Sequence, residues 1–429
     1  MDLTRSDLRS VRGTLQLPPD KSIAHRVAMF ASLADGESVI ENYSSAADPQ
    51  TTLSCFRQLG VDIQQHGKTV TIQGVGRKGL RASDGAIDCG NSGTTMRLLS
   101  GILAGAGIRA ELIGDASLSS RTMKRILDPL RLMGADISAK QDAYAPLSLS
   151  GAQSLHGIRY PLQIPSAQIK SCILLAGLFT DEPTEVVEFI PSRDHTERLL
   201  QLPSEKRGDG SVVLRSHSGM YIPKMNLRVP GDFSAATFWL VAGSIYPGSE
   251  MSLPNTGLNP TRTAAMKILM RMGADIDIDV DDDSLAEPTG TLTVRTAALT
   301  ATIVEPHEIP NAIDELPILS VAMAFADGIS EFRGAEELRH KETDRLKAVA
   351  DMLKTAGVKV DELPDGLRIH GRPDFVPTAG TFESWHDHRI AMSAGILAGR
   401  APGLSVITHA ECTAISYPRF WDDFTAVSD

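Results

Sequence analysis

The chain has 429 residues, of which 42% are hydrophobic and 22% charged, and a formal net charge of −11 at pH 7. That length exceeds one ordinary hydrophobic core and implies two or three domains, and the composition is that of a folded globular protein, not a disordered one. The acidic balance opposes broad attraction to nucleic acid or acidic lipid, so an anionic ligand has to be met by locally placed Arg and Lys.

The first residues, Met1 to Arg12, are charged and lack an apolar stretch, so no secretory signal is expected there. Charged residues interrupt every hydrophobic run well short of the about eighteen residues a membrane span needs. Cys55, Cys89, Cys172 and Cys412 are widely spaced with no C-x-x-C pair, which suits a reducing compartment and argues against a cysteine zinc site. A cytoplasmic enzyme acting on small molecules fits these bounds, with no nucleic-acid or membrane partner and a monomer as the default state.

Along the chain, one design recurs six times: a polar or charged entry followed by a small-residue, apolar helix. The first is DKSIAHRVAMFASLADG from Asp20, entered through Leu17-Pro-Pro19. An amphipathic segment, QTTLSCFRQLGVDI, follows and stops at Gly60, then Thr69–Gln73 alternates as a strand. Gly74-Val-Gly-Arg-Lys-Gly79 matches a dinucleotide fingerprint, but no helix follows within reach, so it is a turn. GNSGTTMRLLSGILAG from Gly90 is the second apolar helix, and TMKRILDPLRLMGADI is its amphipathic companion. SAQIKSCILLAGLF from Ser166 is the third, followed by the loop and helix SRDHTERLL from Ser192.

After Val229-Pro-Gly231, a second Pro-punctuated crossing, the design resumes with GDFSAATFWLVAGSIYPG and TAAMKILMRMGADIDI, then the strand Thr291–Arg295. DELPILSVAMAFADG from Asp314, DRLKAVADMLKTAGVKV from Asp344 and DHRIAMSAGILAG from Asp387 complete the series. The apolar helices start roughly 65 to 80 residues apart, one supersecondary unit each. In the amphipathic helices the terminal glycine is a natural stop, because a left-handed residue there costs Gly nothing. The class is α/β (α+β), with two domains of three βαβαββ-like repeats: residues 20–229, and residues 1–19 together with 230–429.

Charged and hydroxyl groups cluster where the apolar helices begin. A helix N-terminus offers N–H groups and a positive dipole end, so several aimed at one place bind anions. Lys21, Ser22 and Arg26 form one cluster, and Gly90 to Thr95 another. Lys341 and Arg345, spaced i,i+4 with Glu342 beside them, would share one helical face; a solvated salt-bridge helix is the bland alternative. Asp314-Glu315 opens a buried-looking helix and could simply cap it, and Asp387-His-Arg389 opens another. Arg121 and Arg193 stand in Ser-flanked loops. His386-Asp-His388 lacks a third ligand motif, and no metal is expected.

DKSIAHR, GNSGTTMRLL, the Arg121 loop, SAQIKS, SRDHTERLL, IDELP, KETDRL and DHRIAM, in that order, resemble the 5-enolpyruvylshikimate-3-phosphate synthase family, in its bacterial branch with SAQ-x-K-S and SRDHTE. The resemblance implies two three-repeat domains closing over a cleft that the helix N-termini face. It implies transfer of the enolpyruvyl group of phosphoenolpyruvate to the 5-hydroxyl of shikimate 3-phosphate, releasing phosphate without metal or organic cofactor. Shikimate 3-phosphate would be met by Ser22, Arg26, Ser166, Ala167, Gln168, Ser192, Arg193, Asp314 and Lys341. Phosphoenolpyruvate would be met by Lys21, Gly93, Arg121, Gln168, Arg345 and Arg389. Asp314 would be the base toward the 5-hydroxyl, and either Lys21 or Glu342 would exchange the proton at C3.

The resemblance also implies two departures from some members of the family: Ala167 stands where they have a second Ser, and Ile415 where they have a Lys. Gly93 leaves room for glyphosate, the family inhibitor. Two rivals remain. The related transferase acting on UDP-N-acetylglucosamine has a K-N pair in place of Lys21-Ser22 and a reactive loop Cys, absent from Ser117–Arg125. A non-catalytic anion-binding repeat protein would gain nothing from carboxylates beside its cations.

Overall fold

Six small sheets, one per repeat, carry the architecture of this computed structural model, which describes residues 3–5, 8–151, 154–282 and 286–428. Five have four strands in one pattern: a parallel pair, then two antiparallel neighbours. Asp35–Glu41, Thr69–Val75 and Asp62–His66 form such a set, with Ile40 opposite Val70 and Ile63 opposite Ile72. Val70 and Ile72 are buried while Thr69, Thr71 and Gln73 are not, which is the period-two alternation of a half-covered sheet. The sixth sheet has three strands, Leu3–Arg5, Ser405–Ile407 and Thr381–Phe382.

Two compact units divide the chain. One runs from Pro19 to Val229; the other joins the residues up to Pro18 to those from Pro230 onward. Long-range strand pairing explains the grouping. Leu227–Arg228 lies parallel to Ile40–Glu41, so the first unit closes on its own beginning. Arg12–Thr14 lies parallel to Glu250–Ser252, which ties the N-terminal segment to the second. Each unit has its own hydrophobic core.

The apolar helices lie inside these cores. Every residue of Phe233–Ile245 and of Leu316–Ala324 is buried. Beyond the first turn their hydroxyls survive burial by donating to the carbonyl four residues back, as Ser244 does to Leu240 at 2.8 Å and Ser320 to Leu316 at 2.7 Å. Gly101 shows how close the backbones come: a Cβ there would lie 2.3 Å from the Cys172 carbonyl oxygen of the helix Ala167–Gly177.

The amphipathic helices end as their glycines require. Gly60, Gly134, Gly273 and Gly357 all have φ between 87° and 97°. The N–H after each reaches back to the helix, as Val61 does to Phe56 and Val358 to Leu353, closing the last turn.

Candidate active site

In the unit that contains Pro230 onward, Arg345 opens the helix Arg345–Thr355 and is almost fully buried. Its Nε donates to Asp387 Oδ2 at 2.8 Å, its Nη2 to Glu342 Oε2 at 2.7 Å, and its Nη1 to Asp314 Oδ1 at 3.4 Å. Burial lowers the guanidinium pKa, and Asp387, Glu342 and Asp314 more than reverse this, leaving it well above its ordinary value. Lys341 Nζ lies 3.4 Å from the same Asp314 oxygen. Arg389 Nη1 donates to the Asp314 carbonyl at 2.8 Å and to Ser234 Oγ at 2.5 Å, and its Nη2 is 4.0 Å from Asp314 Oδ2. Asp314, Lys341, Glu342, Arg345 and Arg389 therefore form one cluster.

The geometry corrects one expectation and removes one alternative. Lys341 and Arg345 do not share a helical face. A 3₁₀ turn, Glu336–His340, ends before Lys341, whose backbone is extended, and Asp344 caps a new helix that starts at Arg345. Asp314 is not a cap either. The helix Leu316–Ala324 begins with no side-chain cap, Pro317 occupies its first turn, and the Asp314 carboxylate faces Lys341 and Arg345 instead. The groups that sequence reasoning missed are the ones holding this cluster. Asp387 accepts from Arg345 and also caps its own helix through the Arg389 N–H at 2.9 Å. Glu315, wholly buried, accepts from Ser234 at 2.5 Å and from Arg262 at 3.0 Å. Nothing in the spacing of Arg262 or Ser234 signals that they converge on Glu315.

The Pro19–Val229 unit holds the other candidates. Asp20, Ser92 and Ser166 cap the three inner helices. Lys21 pairs with Asp48 at 3.0 Å. Arg26 is buried, donating to Thr196 Oγ1 at 2.8 Å, Ser171 Oγ at 3.1 Å and the Ser22 carbonyl at 3.0 Å. Gln168 receives from Arg97 Nη1 at 2.8 Å and donates to Thr94 at 3.1 Å, joining the helices that open at Gly93 and Ala167. A Cβ on Gly93 would lie 2.8 Å from Arg97 Nη1, so the glycine keeps space for that guanidinium. Arg121 reaches Asn91 at 2.9 Å and Ser117 at 3.0 Å. Ser192 is buried and Arg193 half-buried on the adjoining loop. Arg97, visible inside GTTMRLL, received no role from the sequence, and only its contact with Gln168 reveals one.

Among the described residues no group of three or more His, Cys, Asp or Glu could hold a metal ion. Of the His386-Asp-His388 run, Asp387 is engaged with Arg345, and His386 stacks on His409 with ring centroids 3.8 Å apart.

The sequence profile of EPSP synthase (3-phosphoshikimate 1-carboxyvinyltransferase) matches residues 7–424. The 3-phosphoshikimate 1-carboxyvinyltransferase of Salinibacter ruber is 46% identical over 425 residues, covering 98% of this chain and 97% of that protein. That of Geobacillus thermodenitrificans is 44% identical, covering 98% of each. The solved EPSP synthase from Acinetobacter baumannii superposes with a TM-score of 0.88 at 38% identity, covering 100% of this chain and 98% of that one. The enolpyruvyl transferase NikO from Streptomyces tendae, at 18% identity and a TM-score of 0.78, shares the fold.

His25 gives a test of the buried polar layer. Its Nδ1 lies 2.6 Å from Thr52 Oγ1, and burial, the largest effect, pushes its pKa from 6.5 down to about 3. Lys21 and Arg26 push the same way, and Asp48 opposes them. Below pH 6.5 the unfolded chain takes a proton that the folded chain refuses, so stability falls with falling pH. This group alone is expected to contribute a slope approaching about 1.4 kcal/mol per pH unit. Urea unfolding at pH 7 and pH 5 should show a smaller loss in His25→Gln than in the wild type; equal losses would refute the assignment.

Proposed function

The chain belongs to the EPSP synthase family and transfers the enolpyruvyl group of phosphoenolpyruvate to the 5-hydroxyl of shikimate 3-phosphate, and on that premise we propose how its residues divide the work. The observation that carries the proposal is the Asp314 carboxylate, fixed beside Lys341 and Arg345, with Glu342 on the same guanidinium. Carboxylates among anion-binding cations weaken binding; Asp387 and Glu315 offset this by holding the cluster, and Asp314 and Glu342, which are less buried, are the ones we assign to proton transfer.

Asp314 takes the proton of the 5-hydroxyl as its oxygen attacks C2 of phosphoenolpyruvate, while Lys21 or Glu342 delivers a proton to C3. Loss of that C3 proton then expels phosphate and restores the double bond. These are acid–base steps, and the proposal draws on no cofactor. Ser22, Arg26, Ser166, Ala167 through its backbone, Gln168, Ser192, Arg193 and Lys341 hold shikimate 3-phosphate. Lys21, Gly93, Arg121, Gln168, Arg345 and Arg389 hold phosphoenolpyruvate. Fixed hydrogen bonds support these roles: Arg26 and Gln168 are each already oriented by two side-chain partners, so little ordering remains to be done on binding. Arg345 acts mainly as the fixed charge that orients Asp314 and Glu342, because three carboxylates already occupy it.

We place the protein in the cytoplasm as a monomer without nucleic-acid or membrane partners. The four cysteines are free and buried, the net charge is −11, and no helix among the described residues is long and apolar enough to cross a membrane.

Phosphate release from purified protein should require shikimate 3-phosphate and phosphoenolpyruvate together; release with UDP-N-acetylglucosamine as acceptor instead would reverse the assignment. Asp314→Asn, checked for native circular dichroism, is expected to lower kcat by about 10²–10⁴-fold. Near-normal turnover would remove Asp314 from the role of base. Glyphosate should compete with phosphoenolpyruvate, and Gly93→Ala, which presses a methyl toward Arg97, should weaken that inhibition by about tenfold or more. No inhibition far above the phosphoenolpyruvate KM would contradict this.

A further inference from the structure

Two sequence motifs have parts that the reaction leaves unused: the lysine of SAQIKS and the glutamate of SRDHTE. The fold of the Pro19–Val229 unit brings them together. Lys170 is completely buried, and its Nζ lies 2.6 Å from Glu197 Oε1 and 2.9 Å from Glu188 Oε2, and donates to the Ser192 carbonyl at 3.3 Å. An ammonium has three N–H donors, and these three acceptors use them all. Glu188 turns its other oxygen to Ser192, accepting from the hydroxyl at 2.5 Å and from the backbone N–H at 3.1 Å. The neighbouring Ser171 Oγ lies 2.7 Å from Thr196 Oγ1, and both hydroxyls accept from Arg26.

Residues 170 and 171 of one helix therefore grip both ends of the segment from Ser192 to Glu197. Phe189 is 61% exposed and Ile190 39%, so the loop leading into Ser192 is not anchored by apolar packing. A buried ion cluster is a costly way to gain stability, since well-packed apolar side chains of the same volume do as well or better. What it supplies is geometry, because a charge out of water tolerates few arrangements of its partners. Burial lowers the Lys170 pKa, but Glu197 and Glu188 more than offset this, so the ammonium stays charged.

We propose that Lys170 is a positioning residue for the acceptor substrate. It locks Ser192 and the adjoining Arg193, and through the Ser171–Thr196 pair Arg26, into the arrangement that receives shikimate 3-phosphate. This rests on the assignment of Ser192, Arg193 and Arg26 to that substrate. Phosphoenolpyruvate contacts none of these groups in the proposed division, so the two substrates report on the cluster differently.

The test compares Lys170→Met with a neutral triple variant, Lys170→Met with Glu188→Gln and Glu197→Gln, which leaves no unpaired buried charge. Shikimate 3-phosphate binding is measured by calorimetry without phosphoenolpyruvate, and KM for each substrate and thermal stability are measured alongside. Lys170→Met should weaken shikimate 3-phosphate binding by roughly 10–100-fold, the size of losing fixed hydrogen bonds to a charged ligand. KM for phosphoenolpyruvate should stay within about twofold, a difference too small to count as a lost contact. The triple variant should regain thermal stability and still bind the acceptor weakly, and it decides the matter alone if the single variant does not fold. Recovery of acceptor binding together with stability, or equal changes for both substrates, would overturn the positioning role. Wild-type protein that binds shikimate 3-phosphate without turning it over would overturn the functional reading and leave the positioning role standing.

Discussion

Arg345 places a full positive charge where water hardly reaches, and three carboxylates from three separate segments converge on it. A buried charge without partners is untenable, and removing one member of such a set typically costs about 3–5 kcal/mol. The guanidinium therefore fixes the start of its own helix, the start of the helix at His388, and the turn before Leu316 relative to one another. Asp314 inherits its place from that constraint. So does Arg389, whose nitrogen meets the Asp314 backbone and Ser234. Glu315, beneath it, repeats the arrangement with Arg262.

The same logic runs through the Pro19–Val229 unit with different residues. There an ammonium, Lys170, is shared by Glu188 and Glu197, and Arg26 is held by two hydroxyls. In both units the cations are matched by acids or hydroxyls before any substrate arrives. Anion binding thus depends less on bare positive charge than on donors already oriented. An acidic protein can bind two polyanions on these terms, because what counts is the field within a few ångströms, not the net charge.

The inner helices make such placement possible. Their small residues let backbones approach closely, several of their hydroxyls bond back to their own carbonyls, and five of the six begin with an Asp or Ser cap. The caps consume first-turn N–H groups that an anion would otherwise use. In the proposed assignment, the charged side chains near those ends, Lys21, Arg26 and Arg389, consequently carry more of the binding than the helix termini do.

Much of this is legible in the sequence, and what is legible has a local cause. Helical periodicity, glycine stops with left-handed backbone, alternating strands and the sixfold recurrence all depend on residues within a few turns of each other. The family motifs, read in order, name the candidate residues by their position in the chain. What only the tertiary structure decides is which distant charges face each other. Lys341 and Arg345 look like one helical face until the chain breaks between them, and Asp314 looks like a cap until it turns to Lys341. Lys170, Glu188 and Glu197 show no common signal in one dimension. Electrostatic partnership acts through space at 3 Å and pays no regard to sequence separation, so it becomes visible only once the chain has folded.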